Sequence, residues 1–288
     1  MTIKSIIKKV IRQFQEKRIV YVEKVTKPYV IQLVEANRFK GQVAVVTGGS
    51  GVIGRAIAYR LAAEGAKVYV CGSKVESAKK VSDEINKAGF LAEPLAVNVT
   101  SEESVKEAFK KVYEDNRKID LLVCSAGGSA REKMKPLHEQ SMEVVDSVLN
   151  INLRGGILCA MEASRFMVPQ HYGNIIMITS IVAQGGLACC SEYAAAKAGV
   201  LSFAKSIAME MGGGQGVRVN CVSPGIVQRG TIDEIQLEHI HKTNWLNNYG
   251  KPEDIAGMVA YLNSEEASFI TGQNFIVDGG RSLGLKNS

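Results

Sequence analysis

Several features that would remove a chain from the ordinary globular class are scarce in this one. No run of about 18 or more apolar residues occurs, so we expect no membrane span. Only 6 of 288 residues are proline, and 46% are hydrophobic, which is not the composition of a disordered or fibrous chain. The N-terminus has no short apolar run followed by a small-residue cleavage site. We therefore expect a globular protein of the cytoplasm.

Cysteine is sparse and shows no ligand pattern. No C-x-x-C pair is present, and no histidine stands at metal-ligand spacing from a cysteine. Because most of the six lie in apolar runs, we predict buried free thiols and no metal site. A redox-sensitive alternative stays open for the adjacent Cys189 and Cys190. The other cysteines are Cys71, Cys124, Cys159 and Cys221.

Positive charge is concentrated at the N-terminus. Residues 1–40 hold ten Lys and Arg against three Glu, a net charge of +7, so the rest of the chain carries −1 of the overall +6. Apolar residues from Ile3 to Phe14 recur at the spacing of one helical stripe, with basic residues between them. We predict a basic amphipathic helical extension over residues 1–38, with a second helical piece after Pro28. This extension either packs on its own domain or on a sister subunit, or docks on a membrane surface or a partner.

Residues 39–288 alternate short apolar runs with amphipathic stretches. This alternation is typical of βαβ units, so we predict an α/β fold consisting of one Rossmann-type domain with a doubly wound parallel sheet. The predicted strands are 43–46, 67–71, 95–97, 119–124, 175–179, 217–222 and 274–277, and the predicted helices include 53–64, 77–88, 102–113 and 192–210.

The turn after the first predicted strand is rich in glycine and runs from Thr47 to Gly54. Between a strand and a helix, such a turn offers free backbone N–H groups at a helix N-terminus to a dinucleotide pyrophosphate. The alternative is a tight turn without a ligand.

A second constellation lies on the long helix 192–210. Tyr193 and Lys197 are four residues apart and therefore share a helix face. A phenol with an ordinary pKa of about 10 needs a nearby cation to exchange protons near neutral pH, and Lys197 supplies it. Ser180, at the end of an apolar strand, is able to hydrogen-bond a reacting oxygen.

Taken together, residues 39–280 resemble the classical short-chain dehydrogenase/reductase family, particularly its 3-oxoacyl-(acyl carrier protein) reductases. Apart from the turn, Ser180, Tyr193 and Lys197, the matching pieces are Asn98–Thr100, Ala126-Gly127, Asn152-Leu153, Ala194–Ala196, Ala198-Gly199, Val219-Asn220, Pro224-Gly225, Gly250–Ala256, Thr271–Gln273 and Asp278–Gly280.

The resemblance implies a role for each catalytic residue. Tyr193 would be the general acid/base, and Lys197 would lower its pKa and hold the nicotinamide ribose. Ser180 would orient the substrate oxygen, while Asn152 would kink a helix and anchor a water for proton relay. A homotetramer is also implied. The implied cofactor contacts are Gly48, Ser50, Gly51, Ile53, Gly54, Ser73, Lys74, Asn98, Val99, Ala126, Gly127, Tyr193, Lys197, Pro224, Gly225 and Val227.

The chain departs from the family pattern at three places. Val52 stands where the middle glycine of T-G-x-x-x-G-x-G belongs, and Gly51 comes one place early, as in the extended branch of the family. Cys124-Ser125 replaces the usual pair of asparagines before Ala-Gly, which would loosen hydrogen bonds between neighbouring strands. Arg229 occupies the position of a threonine that commonly touches the nicotinamide carboxamide.

The end of the second strand decides the cofactor. An Asp there would bind the ribose hydroxyls of NAD and repel a 2′-phosphate, but this chain has Gly72, Ser73 and Lys74. NADP(H) is therefore favoured over NAD(H), with Lys74 as a modest phosphate site, while Arg55 need not point towards it.

We predict an NAD(P)-dependent oxidoreductase that transfers a hydride between nicotinamide and a secondary alcohol or ketone. The polar loop at about 229–249 favours a hydroxylated or sugar-like substrate. The alternatives are a 3-oxoacyl thioester reductase and a catalytically silent nucleotide-binding scaffold. An extended-branch epimerase is disfavoured because only 91 residues follow Lys197. We expect no nucleic-acid partner.

Overall fold

The computed structural model of the protein describes residues 37–128, 131–231 and 243–284. The predicted helices of the N-terminal extension and residues 232–242 of the predicted polar loop lie outside these ranges. The described strands are β1 (Val43–Thr47), β2 (Lys67–Gly72), β3 (Ala92–Ala96), β4 (Leu121–Cys124), β5 (Gly173–Ile178), β6 (Val217–Pro224) and β7 (Asn274–Val277).

These strands form one parallel sheet in the order β3-β2-β1-β4-β5-β6-β7. The predicted Rossmann-type α/β fold is confirmed. The helices that connect them are α1 (Val52–Ala63), α2 (Val75–Lys87), α3 (Glu102–Asn116), α4 (Met142–Leu149), α5 (Gly155–Met167), α6 (Val182–Gly185), α7 (Ser191–Gly212) and α8 (Pro252–Asn263).

The central strands are apolar throughout because helices cover both faces of the sheet. Alternate residues of β1 enter different clusters: Val45 packs with side chains of α3, α5 and α7, and Val46 packs with side chains of α1, α2 and α8. The site-bearing helix α7 therefore rests on a fully packed central sheet.

The edge strand β3 lies earlier in the sequence than predicted, at Ala92–Ala96 rather than 95–97. Pro94 lies inside β3 and has no N–H group, so this residue cannot form the hydrogen bonds to neighbouring strands that a central strand makes on both sides. An edge strand has one free side, so Pro94 is tolerated there.

The helix from Met142 to Met167 is continuous and includes a π-helical turn at Asn150–Arg154 between α4 and α5. By length and composition alone it passes the test for a membrane span, with a mean hydropathy of 1.3. It packs on β4, β5 and α7, and the side chains of Asn152 and Glu162 are buried in the domain. Core helices of soluble domains pass the same test, although here only 28% of the most apolar window is buried inside the domain.

An ion-pair cluster closes the amino edge of the sheet where the domain begins. The fully buried Glu64 accepts hydrogen bonds from Arg38 Nε at 2.6 Å and from Arg60 Nε. Phe39, also fully buried, donates its N–H to the Glu64 carbonyl at 2.9 Å. The first described residues are thus tied to the end of α1.

All six cysteines are free, and five are buried. The prediction of burial is wrong for Cys189, which is exposed between α6 and α7 with a φ of +60°. The loop presents its backbone in a left-handed turn there, so its side chain does not enter the core although its neighbours in sequence are small and apolar.

Candidate active site

The candidate site lies at the carboxyl edge of the sheet, where β1, β4, β5 and β6 end. β1 pairs with β2 on one side and β4 on the other, so the chain connections diverge at the β1/β4 boundary. Parallel α/β sheets bind ligands at such a switch point. The glycine-rich turn, Asn152, Ser180 and Lys197 all belong to segments that reach this edge.

The glycine-rich turn is packed too tightly for side chains at two positions. Gly48 has a φ of +64°, and a Cβ there would lie 2.7 Å from the Ala126 nitrogen. A Cβ on Gly54 would collide with the Gly48 carbonyl oxygen, so α1 approaches the turn only because this residue is glycine. The turn therefore presents the N-terminus of α1, with its unpaired first-turn N–H groups, to the edge of the sheet.

One signal in this turn escaped the sequence analysis. Gly49, Gly51 and Gly54 have the G-x-G-x-x-G spacing of dinucleotide-binding turns. Gly51 caps α1, and its N–H donates to the Gly48 carbonyl at 2.9 Å. A glycine thus remains at the helix start, and Val52 follows as the first helical residue with 44% exposure.

A cavity of about 220 Å³ lies over this helix start. It is bounded by α1, by the segment after β6 and by the start of α8. Its lining residues are Ser50, Gly51, Val52, Arg55, Ala56, Gln228, Gly230 and Pro252.

The hydrogen bonds expected to loosen at Cys124-Ser125 are supplied by Thr47 instead. Thr47 Oγ1 accepts from Ser125 N at 3.2 Å and from Ala126 N at 3.4 Å. The ends of β1 and β4 are therefore joined through a threonine side chain without the family asparagines.

Asn152 lies in the π-helical turn and is 4% exposed. Its Oδ1 accepts from Gly128 N, and its Nδ2 donates to the Gly128 carbonyl, both at 3.0 Å. A Cβ on Gly127 would collide with Asn152 Oδ1, so the glycine permits this contact. The widened turn points the amide into the carboxyl edge and clamps the segment after β4.

Lys197 is buried beside Tyr193. Its Nζ donates to the Ile178 carbonyl at 2.9 Å and lies 5.7 Å from the centre of the Tyr193 ring. Within the described part of the chain, no carboxylate forms an ion pair with Lys197. Burial lowers the pKa of Lys197 from 10.5 to about 8. The ammonium is therefore charged at neutral pH but loses its proton under mildly alkaline conditions.

A cavity of about 10 Å³ separates Lys197 from Asn152, close to the smallest space that holds one water molecule. Polar groups of Thr47, Asn152 and Lys197 border it.

Ser180 follows β5 and is half-buried. Its Oγ accepts only a long hydrogen bond, 3.4 Å from Val182 N, among the described residues. The backbone around it is better held, because Thr179 N donates to the Val222 carbonyl at 2.8 Å and Ile181 N donates to the Pro224 carbonyl at 3.2 Å.

At the end of β2, Gly72 is buried, whereas Ser73 and Lys74 are exposed. Arg55 is committed elsewhere: its Nη2 lies 2.8 Å from Glu84 Oε2, and its guanidinium lies over the Tyr59 ring at 5.4 Å. The exposed ammonium next to the turn is therefore that of Lys74.

The remaining predicted contacts are distributed around the same edge. Asn98 is exposed and accepts from Thr100 Oγ1 at 2.8 Å, while Val99 packs on Gly155. After β6, Gly225 N donates to the Val277 carbonyl at 2.9 Å, Val227 forms an isolated parallel bridge with Gly250, and Arg229 is exposed.

Comparisons with known proteins agree with this geometry. The family model described as enoyl-(acyl carrier protein) reductase matches residues 6–282. The 3-oxoacyl-(acyl-carrier-protein) reductase FabG of Aquifex aeolicus is 37% identical over 84% of this chain and 98% of its own length. The corresponding reductase of Synechocystis sp. is 38% identical over 83% and 96%. Among solved structures, the citronellol catabolism dehydrogenase AtuB of Pseudomonas aeruginosa PAO1 gives a TM-score of 0.78 at 31% identity, covering 88% of this chain and all of AtuB.

The fold and the glycine-rich turn define a Rossmann-type dinucleotide-binding domain. Within that class, the chain belongs to the short-chain dehydrogenase/reductase family. It is an NAD(P)-dependent oxidoreductase that transfers a hydride between nicotinamide and a secondary alcohol or ketone.

Proposed function

We propose that this oxidoreductase works with NADPH as a reductase of 3-oxoacyl thioesters. The observation that carries the substrate class is the similarity to 3-oxoacyl-(acyl-carrier-protein) reductases over nearly their whole length. The expectation of a hydroxylated or sugar-like substrate rested on the polar loop at about 229–249, of which residues 232–242 lie outside the described ranges. This substrate class is kept as the competing candidate because Arg229, at the start of that loop, is exposed.

The family resemblance and the geometry of the carboxyl edge support the following roles. Tyr193 donates a proton to the carbonyl oxygen of the ketone, and Ser180 holds that oxygen by a hydrogen bond. The buried ammonium of Lys197, beside the Tyr193 ring, favours the phenolate that remains after proton transfer. Asn152 fixes the segment after β4 and, with Lys197, borders a space of one water molecule through which the proton is replaced.

When bound, the nicotinamide supplies the hydride. The residues present fit such a cofactor, because Gly48 and Gly54 allow α1 to pack closely on the turn, and a cavity of about 220 Å³ lies over the N-terminus of α1, where the pyrophosphate would bind. Ser73 and Lys74 are the exposed groups that would take a 2′-phosphate, and no acidic side chain occupies the end of β2 to repel it.

Turnover assays test this proposal. The protein is incubated with NADPH and a 3-oxoacyl thioester, and in parallel with NADPH and a hydroxylated ketone of similar size. The proposal expects a higher kcat/KM for the thioester, and a preference for the hydroxylated ketone would replace the substrate class. Tyr193→Phe should abolish turnover while NADPH still binds; undiminished turnover in this variant would remove Tyr193 from the mechanism.

We also propose that the catalytic domain spans residues 39–288, forms a homotetramer and resides in the cytoplasm. In support, the curated relatives match 96–98% of their own lengths to 83–84% of this chain, which leaves room for an extension over residues 1–38. Light scattering of the intact protein measures the assembly, and a mass other than four subunits would contradict it.

For the extension itself, we propose that it docks on an anionic membrane surface, because a net charge of +6 over residues 1–38 accompanies an apolar helical stripe. Co-sedimentation with anionic vesicles should pellet the full chain and leave a variant lacking residues 1–38 in solution. Equal pelleting of the two proteins would refute membrane docking. A change in the number of subunits of the truncated protein would favour packing of the extension on a sister subunit.

A further inference from the structure

Three polar side chains, two of them buried, form a hydrogen-bonded chain from the end of β5 to β7. Thr179 Oγ1 and Ser223 Oγ lie 2.5 Å apart, and Ser223 Oγ donates to Asn274 Oδ1 at 2.7 Å. Thr179 and Ser223 are 2% and 1% exposed. The link between Thr179 and Ser223 is thus shielded from solvent, whereas Asn274 on β7 is partly exposed.

The direction of the hydrogen bonds follows from the groups involved. An amide oxygen only accepts, so the single hydroxyl proton of Ser223 goes to Asn274, and Thr179 Oγ1 is the donor towards Ser223 Oγ. The Val222 carbonyl, 3.2 Å from Thr179 Oγ1, is a second acceptor for the same proton. Removing the Ser223 hydroxyl would leave Asn274 Oδ1 without this donor, and would leave Thr179 Oγ1 with only the Val222 carbonyl, at 3.2 Å, as its acceptor among the described residues.

The arrangement also carries a cost. Asn274 Nδ2 is buried and has no hydrogen-bond partner among the residues that the structure describes. An unsatisfied buried donor destabilises a fold, whereas apolar side chains at these positions would avoid that cost. A functional role explains why polar groups are kept here.

The chain lies beside two segments of the candidate site. Thr179 directly precedes Ser180, and Ser223 directly precedes Pro224. Side chains alternate along a strand, so Thr179 and Ser223 share the sheet face of Met177 and Cys221, which belong to the cluster that includes α7. The chain therefore lies on the sheet face that supports the helix of Tyr193 and Lys197.

Ser180 needs such support because its own side chain is weakly held, by one contact of 3.4 Å among the described residues. Its place is set by the backbone on either side, where Thr179 N bonds to Val222 and Ile181 N bonds to Pro224. A link between the Thr179 and Ser223 side chains fixes the strand ends relative to each other at this point.

We propose that Thr179, Ser223 and Asn274 are positioning residues, which hold Ser180 in register with the Pro224-Gly225 turn. The inference goes beyond the roles proposed above, since none of the three touches the reacting atoms. Its kinetic test rests on the proposed function, whereas a second test does not.

The kinetic test uses Thr179→Val and Ser223→Ala. Each should lower kcat for the ketone about tenfold, and the double variant should be no more than about twofold slower than either single one, because both break the same link. Ser223→Thr keeps the hydroxyl, so its kcat should stay close to that of the wild type. Thr271→Val is the matched control: Thr271 Oγ1 accepts from Val219 N at 3.1 Å near the other end of β6, and its loss should leave kcat unchanged. Unchanged kcat in Ser223→Ala would overturn the proposal.

The second test needs no substrate. Amide hydrogen exchange of the Ser223→Ala protein should become about tenfold faster at Thr179 and Ile181 than in the wild type, while exchange in β1 stays unchanged. Faster exchange spread evenly over the sheet would show a merely structural role and overturn the inference. Because this result does not depend on turnover, a failure of the substrate proposal is distinguishable from a failure of the positioning proposal.

Discussion

Two buried charges at opposite edges of the sheet are handled in opposite ways. At the amino edge, Glu64 is fully buried but lies between the guanidinium groups of Arg38 and Arg60. At the carboxyl edge, Lys197 is 5% exposed, and a single backbone carbonyl, that of Ile178, is its hydrogen-bond acceptor among the described residues. The Glu64 carboxylate is neutralised by two arginines. The Lys197 ammonium has no counterion among the described residues and therefore destabilises the fold.

The difference between the paired Glu64 and the unpaired Lys197 shows which edge of the sheet is less stable. A buried charge without a counterion is costly, and its pKa moves towards the neutral form, as that of Lys197 does. A carboxylate partner would cancel the field that Lys197 exerts on the Tyr193 ring. The carboxyl edge thus keeps an unfavourable group for its chemistry, whereas the amino edge is organised for stability.

The largest expected effect comes from removing the lone charge. Lys197→Met should lower kcat/KM by about 10²–10⁴-fold, because proton transfer by Tyr193 loses its cation. The free energy of unfolding should stay the same or rise by about 1 kcal/mol, since an apolar side chain replaces an unpaired buried charge. Steady-state kinetics and urea unfolding measure the two quantities.

The matched control is Lys205→Met, on the same helix but exposed, which should change neither quantity. A Lys197→Met protein that is clearly less stable than the wild type would show that Lys197 holds the fold together and would break the comparison.

The opposite outcome is expected at the amino edge. The double variant Arg38→Ala and Arg60→Ala should lose about 3–5 kcal/mol of unfolding free energy, because the Glu64 carboxylate is left buried and unpaired. Its kcat, measured well below the unfolding temperature, should not change. Lys79→Ala removes an exposed pair with Asp83 and should cost less than about 1 kcal/mol. Equal losses of unfolding free energy in the two variants would show that the burial of Glu64 does not increase the cost of removing its partners.

A smaller effect is expected at the glycine-rich turn. The Cβ of a first helical residue points towards the helix N-terminus, so Val52 takes up space where a pyrophosphate would lie. Val52→Gly should tighten NADPH binding about three- to tenfold, or about 1 kcal/mol, by isothermal titration calorimetry. Val75→Gly, at the first position of α2 with a similar exposure of 43%, controls for the loss of helix stability. Weaker binding by Val52→Gly would show that the valine packs on the cofactor.

A further expected effect is a pH dependence of stability. The folded-state pKa of Lys197 is about 8, below the unfolded value of 10.5. Between these values the unfolded chain binds more protons, so this residue makes unfolding free energy rise as pH increases from about 8 to about 10.5. Urea unfolding across this window should show a steeper rise for the wild type than for Lys197→Met. Parallel curves would mean that Lys197 is not destabilised by burial.

Much of the fold can be predicted from local patterns in the sequence. The apolar runs at β1 and β7 and the helical face shared by Tyr193 and Lys197 depend on short-range periodicity, and the structure has them within a few residues of their predicted bounds. The glycine spacing predicts the cofactor turn because backbone geometry at Gly48 and Gly54 requires it.

Other features depend on contacts between distant segments and leave no local pattern. The pairing of Arg55 with Glu84 and the link from Thr179 to Asn274 join residues far apart in the chain. The exposure of Cys189 depends on a turn whose left-handed backbone is not encoded by glycine. Sequence patterns report periodicity, whereas these features depend on how strands and helices are finally placed.

Thermal stability of the purified protein with NADPH, with NADH and with neither tests the central claim most directly. A ligand at 100 times its dissociation constant should add about 2.7 kcal/mol to the free energy of unfolding. The account predicts a selective rise with NADPH. A selective rise with NADH would keep the oxidoreductase and overturn the cofactor preference, and no response to either would contradict cofactor binding at the glycine-rich turn.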